Sequence, residues 1–169
     1  AFLYGVLHRI LIECNWREIC DVERLEQDSN SPYLIGPNGY WMRDPETHKP
    51  LIFDLKDKTA KPFDTEIQHP GMEGSFLVSG IEIGADEDQW VHKNIEAKTS
   101  FQQLIDHMEQ YTPEWAEEQS DVPADRIRTV ADEFISNACI GQTIEVEGEE
   151  MPFRPVAILL GKTVNNGWG

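Results

Sequence analysis

Residues Thr112 to Ala138, TPEWAEEQSDVPADRIRTVADEFISNA, constrain the fold of this chain more than any other stretch. Thr112 can act as an N-cap. Pro113 suits the first helical position, because the N–H it lacks is one of the donors a helix start leaves unpaired. Glu114, Glu117 and Glu118 set negative charge near the positive end of this short helix. Asp121-Val122-Pro123 breaks it. A second helix then carries Ile127, Val130, Ala131, Phe134 and Ile135 at i, i+3, i+4, i+7 and i+8, one continuous apolar stripe to be buried.

Two more helices are expected. In AFLYGVLHRILIE, Ala1, Leu3, Val6, Leu7, Ile10 and Leu11 form a stripe, and Gly5 allows a neighbour close. From Thr99 to Gln110, Phe101, Leu104, Ile105 and Met108 share a face. Between them, from Ser29 to Trp90, Pro, Gly and Asp abound and helix signals vanish. Tyr33–Gly36 and Tyr40–Arg43 flank Pro37-Asn38-Gly39, a hairpin turned by Asn-Gly. Lys49–Asp54 is a third strand. Phe76-Leu77-Val78 and Ile81-Glu82-Ile83, with Gly80 between the runs, make a fourth element. The expected organisation is a single partial α/β domain. It has a helical start over 1–28, a β/loop insert over 29–90, helices over 91–140, and a last part over 141–169. That last part holds a hairpin around Gly148, a buried strand and a glycine-flanked loop.

Val156 to Leu160 is a continuous apolar run, which suits a strand buried on both faces of a parallel sheet. The expected fold class is therefore α/β: a parallel-sheet layer with flanking helices, interrupted by an inserted β-hairpin and loop region. In open α/β sheets the loop beyond the carboxyl end of such a strand lines the ligand crevice. Gly161 and Gly167 permit close backbone approach there. Thr163, Asn165 and Asn166 offer uncharged donors and acceptors to a heteroaromatic or phosphate-bearing cofactor. These five are the candidate cofactor-binding residues. The bland alternative is a glycine-rich turn with Lys162 pointing to solvent. Gly161-Lys162-Thr163 is not the end of a P-loop, since Val156 stands where that motif requires glycine.

Charge narrows the partners. With 31 acidic and 14 basic side chains the net charge is −17, and from Asp106 to Glu150 thirteen acids face only Arg126 and Arg128. Such a surface repels phosphate backbones and anionic lipid, so nucleic acid and direct membrane insertion are not expected. No run approaches the roughly 20 apolar residues that span a bilayer. Cys14, Cys20 and Cys139 form no C-x-x-C pair, and the five histidines have no ligand spacing. No metal site and no catalytic residue are read here. The compartment stays open.

The order Tyr111-Thr112-Pro113-Glu114-Trp115-Ala116, Val122-Pro123-Ala124, then Ile127-Arg128 and Ala131 through Phe134 resembles the molybdopterin oxidoreductases of the dimethyl sulfoxide reductase type. There a Y-T-P-E-W-A run precedes a V-P-A/E-x-x-I-R-x-x-A-x-x-F/Y helix. The opening helix resembles the family's A-L-x-x-G-x-L-H-x-I-I-x-E at Ala1, Gly5, Leu7, His8, Ile10, Ile12 and Glu13. The family's Gly-Thr-Asp turn would stand just before Ala1, so the chain is expected to be an internal fragment of a catalytic subunit. Asn30-Ser31-Pro32-Tyr33-Leu34, Arg43-Asp44 and Lys49-Pro50-Leu51 through Asp54 follow a succession found in some relatives.

The resemblance implies molybdopterin guanine dinucleotide, with molybdenum or tungsten held by two pterin dithiolenes. It also implies a [4Fe–4S] cluster bound outside this segment. The metal performs oxygen-atom or hydroxyl transfer, or a two-electron step, and the protein supplies orientation and electrostatics. The loop at 161–167 would pass close to the pterin. The implied partners are the remainder of the catalytic subunit and, as a further candidate, an electron-transfer subunit. Neither the cluster cysteines nor the metal ligand falls in this stretch, so the segment alone is not expected to turn over substrate. The alternative is a non-catalytic acidic α/β binding or regulatory domain. A small hydrolase or transferase ranks last, because no G-x-S-x-G elbow occurs.

Overall fold

Capping and periodicity place the helices; pairing places the strands. The computed structural model describes residues 1–158. It begins with α1 (Phe2–His8), a π-helical turn (Arg9–Glu13), α2 (Trp16–Ile19) and α3 (Val22–Gln27). Then come β1 (Leu34–Ile35), β2 (Leu51–Asp54), β3 (Thr59–Pro62), β4 (Ser75–Ile83) and β5 (Gln89–Thr99). The chain continues through α4 (Ser100–Met108), α5 (Pro113–Ser120), α6 (Ala124–Asn137), β6 (Thr143–Val146) and β7 (Glu149–Pro152). Contacts divide these elements into two compact units. One joins Ala1–Asp21 to the segment from His107 onward, and the other is Val22–Asp106.

The first unit is built on α1, α5 and α6. Val6, Ala116, Ile127 and Ala131 form its buried core, with Phe2, Ile10, Trp115, Val122 and Val130 packed against it. The α6 stripe is as expected: Ile127 and Ala131 are wholly buried, and Val130, Phe134 and Ile135 are half-buried. The stripe on α1 is rotated from the expected one. Phe2, Val6 and Ile10 face the core, while Leu7 is 38% exposed. The contact at Gly5 sets that rotation, and at roughly 100° per residue Leu7 lies on the far side of the helix from it. Asp121, with φ 57°, ends α5 in the left-handed conformation.

After α6 the chain makes the expected hairpin, with Ile144 opposite Met151 and Val146 opposite Glu149. Glu147 and Gly148 both have positive φ, 54° and 87°, the two-residue turn whose twist matches paired strands.

In the second unit, β1, β5 and β4 form a three-stranded sheet and β2 pairs with β3. Leu34, Met42, Leu51, Phe53, Val78 and Ala97 make the core. The rings of Phe53 and Phe76 stack with centroids 4.1 Å apart. The Asn-Gly hairpin is present: the Met42 N–H donates to the Leu34 carbonyl at 2.8 Å and that of Gly36 to the Tyr40 carbonyl at 2.9 Å. Strand structure continues to Thr99, through a span expected to be helical. In β5 the partly buried or buried positions are Trp90 and His92, then Ile95, Ala97 and Thr99, with Lys98 partly buried between the last two. The parity slips at Asn94, whose φ is 50°, opposite the register shift between Val78 and Gly80.

Helices and sheets together give the expected α/β class. Among the described residues every strand pair is antiparallel, so the parallel layer is not seen there. Val156, Ala157 and Ile158 carry no strand, and the latter two are exposed. A strand buried on both faces needs a neighbour along each edge, and no described strand lies beside this run. Leu159 and Leu160 lie outside the described residues.

Candidate functional site

The helical residues on which the resemblance rests meet one another in the first unit. Thr112 Oγ1 accepts the Trp115 N–H at 3.1 Å, the cap its sequence position calls for. Gly5 lies where three helices converge: a Cβ there would stand 2.8 Å from Ala116 Cβ and 3.0 Å from Ile127 Cγ2. Buried His8 reaches the Met108 carbonyl through Nδ1 at 2.8 Å. A carbonyl can only accept, so Nδ1 carries the proton. Along one side Tyr4 and Tyr111 pack at a tilt, with centroids 4.7 Å apart, and Tyr111 meets Trp115 edge to face at 4.8 Å.

Arg128 ties the ends together. Its Nε donates to Glu13 Oε2 at 2.9 Å and its Nη2 to Glu13 Oε1 at 2.7 Å, and Nη2 also reaches Glu114 Oε1 at 2.7 Å. Arg9 adds Asp132 at 3.0 Å and Glu13 at 3.3 Å. The hydrogen bond from Arg128 holds the Glu13 and Glu114 carboxyls below their usual range, and those carboxylates raise Arg128 above its own. A carboxylate held as an anion by a guanidinium neither gives nor takes a proton readily near neutral pH. The cluster fastens helices.

The five residues expected to bind cofactor, Gly161, Thr163, Asn165, Asn166 and Gly167, lie outside the described residues. The structure does place the segment leading to them. Arg154 pins the foot of the hairpin: Nε and Nη2 donate to Asp21 Oδ2 at 3.0 and 2.7 Å. Its Nη1 donates to the carbonyls of Cys139 at 3.1 Å, Gln142 at 3.2 Å and Phe153 at 2.8 Å. Beside this foot lies an open groove of about 670 Å³, walled chiefly by Val130, Phe134, Phe153 and Val156.

Sequence reasoning passed over two buried carboxylates in the second unit. Glu82 is wholly buried and accepts the N–H groups of Asn38 (3.2 Å) and Tyr40 (3.0 Å) and Asn38 Nδ2 (3.0 Å). His92 Nε2 lies 2.7 Å from its Oε2. A Cβ at Gly36 would stand 2.4 Å from Glu82 Cδ, so glycine lets the backbone pass. Asp54, also wholly buried, accepts Lys61 Nζ at 2.8 Å and the N–H groups of Lys56, Gln68 and His69 at 3.0, 3.1 and 3.2 Å. Lys61 first, then those amides, hold its carboxyl far below the usual range. The one signal in the sequence was a charge placed inside or closing an apolar strand run.

Among the described residues no group of three or more His, Cys, Asp and Glu side chains could hold a metal ion. Cys14, Cys20 and Cys139 are free, and burial pushes the Cys20 thiol up, away from the reactive thiolate. No described helix is long and apolar enough to cross a membrane.

No family model matches the chain. Over 141 residues, 74% of its length, it is 35% identical to the thiosulfate reductase molybdopterin-containing subunit of Salmonella typhimurium. The chain spans 18% of that protein's length. A match of this extent supports a piece of a molybdopterin oxidoreductase.

Proposed function

We propose that this chain is an internal segment of the catalytic subunit of a molybdopterin-dependent oxidoreductase of the dimethyl sulfoxide reductase type, inactive alone. Its share is scaffold and part of the wall around the pterin cofactor. The observation that carries this reading is the 35% identity to a molybdopterin-containing subunit. The packing supports it: Gly5, Glu13, Thr112, Glu114 and Arg128, which carry the resemblance, are the residues that cap and lock the helices.

In the whole enzyme the metal, molybdenum or tungsten on two pterin dithiolenes in guanine dinucleotide form, would supply oxygen-atom or hydroxyl transfer, or a two-electron step. A [4Fe–4S] cluster bound outside this segment and an electron-transfer subunit complete the electron path. This chain's contribution is geometric. Gly161 and Gly167 would let backbone approach the pterin, and Thr163, Asn165 and Asn166 would offer it hydrogen bonds without adding charge. Thiosulfate, named for the relative, is the first substrate to assay.

Elemental analysis of the complete natural subunit tests the reading. Molybdenum or tungsten is expected, and the absence of both under conditions that load related enzymes contradicts it. In the same protein, Asn165→Ala with Asn166→Ala should lower bound cofactor while leaving the far-ultraviolet circular dichroism unchanged. Full cofactor occupancy in that variant would remove the loop from the wall.

A further inference from the structure

The β6–β7 hairpin carries an apolar face that no described element covers. In an antiparallel pair, opposed residues share a face and the face alternates with each step. Ile144 stands opposite Met151, and Val146, two residues on, faces the same way. Glu149, opposite Val146, joins this face at its turn end, while Thr143, Glu145, Glu150 and Pro152 take the other side. Ile144, Val146 and Met151 are 43%, 45% and 48% exposed, and every residue of both strands is exposed. An isolated two-stranded hairpin is marginal in water. Arg154 fastens the foot of this one but not its body.

The border of that face has one sign. Glu149 stands at the turn end of that face and Glu147 in the turn beside it, and Thr143–Pro152 contains no Lys or Arg. We infer that the Ile144–Val146–Met151 face docks this segment onto the remainder of its own subunit, on an apolar patch bordered by Lys and Arg. The inference rests on the proposed function. The chain spans 18% of its relative's length, so most of such a subunit lies beyond it and can supply the surface. A second copy is the poorer occupant. It would bring a second Glu149 and Glu147 to the same seam, between molecules each of charge −17.

Cysteine labelling tests this in the complete natural subunit and in the 169-residue chain. Val146→Cys reports the apolar face and Glu145→Cys the opposite face of the same strand. Peptide mass spectrometry after maleimide treatment reads each apart from Cys14, Cys20 and Cys139. Val146→Cys should label about tenfold more slowly in the complete subunit, with Glu145→Cys changing by less than about threefold. Equal labelling of Val146→Cys in both proteins overturns the inference. So does equal slowing at both positions, which would bury the whole hairpin and not one face. Metal analysis of the unsubstituted subunit separates the two readings. Molybdenum or tungsten with an unprotected Val146→Cys removes the docking face alone. Neither metal with a protected Val146→Cys removes the enzyme assignment and leaves the docking face.

Discussion

Replacing Gly5 by alanine sets two effects of opposite sign against each other at one position. In a helix interior, alanine is favoured over glycine by about 1 kcal/mol. The added methyl, however, would lie 2.8 Å from Ala116 Cβ, 3.0 Å from Ile127 Cγ2 and 3.5 Å from Pro113 Cα. Carbon atoms prefer about 3.5–4.0 Å, so the two nearest contacts overlap by roughly 0.5–1 Å. Neither neighbour can swing away. Ala116 Cβ is fixed to the α5 backbone, and Ile127 is wholly buried with a stiff β-branched side chain. Relief requires α1 to move off α5 and α6 as a unit, which opens the packing around Val6.

Over-packing of this kind costs about 1–3 kcal/mol, and the immobile neighbours place it near the upper end. Less the helix gain, G5A should be destabilised by about 1–2 kcal/mol. With a urea slope of about 2 kcal/mol/M, the unfolding midpoint followed by circular dichroism should fall by about 0.5–1 M. Adding Ala116→Gly removes the nearest atom and should return part of the loss, with a favourable coupling of about 1 kcal/mol. A midpoint that rises in G5A, as propensity alone dictates, would refute the close approach of the three helices.

Arg128→Met removes the partner of Glu13 and Glu114 at a side chain 28% exposed, and screening limits the expected loss to about 1–2 kcal/mol. Arg128→Lys should recover less than half, since an ammonium cannot fork across both carboxylates. Because the folded Glu13 value is depressed below its usual 4.5, the stabilisation is complete above that value and lost as pH falls through the lower folded one. The urea-midpoint gap between wild type and R128M should therefore stay constant from about pH 6 to 8 and close below about pH 4; a gap independent of acid would contradict this. Thr112→Ala should cost about 1 kcal/mol and Thr112→Asn much less, read from thermal melts. Glu82→Ala leaves the Asn38 and Tyr40 amides without their acceptor, at about 2–3 kcal/mol. Hydrogen exchange at those two amides should quicken before the rest of the second unit, and unchanged exchange would count against the turn-holding role.

Where the determinants are local, the sequence was informative. Thr112, Pro113 and the α6 stripe act within a turn or two of themselves, so caps and periodicity sufficed. The rotation of α1 was not legible, because Leu7 fits an apolar stripe as well as Ile10 does until Gly5 meets Ala116. Nor was β5: the left-handed residue Asn94 shifts which side chains turn inward and breaks the alternation that marks a strand. Glu82 and Asp54 look like surface acids because their acceptor roles depend on amides far away in sequence, 44 and 42 residues for Glu82 and up to 15 for Asp54. An apolar run such as Val156–Leu160 signals burial but does not say which strands flank it. The chemistry of Gly161–Gly167 was read from residue types alone, and those residues stand outside what the structure describes.

That this segment belongs to a molybdopterin-dependent enzyme is tested most directly by the cofactor itself. The complete natural subunit, purified in folded form, would be denatured and its released cofactor oxidised with iodine in acid. Pterin fluorescence would then be measured against protein concentration. About two pterins per polypeptide are expected for a metal held by two dithiolenes. A folded, homogeneous subunit that releases no fluorescent pterin would contradict the assignment.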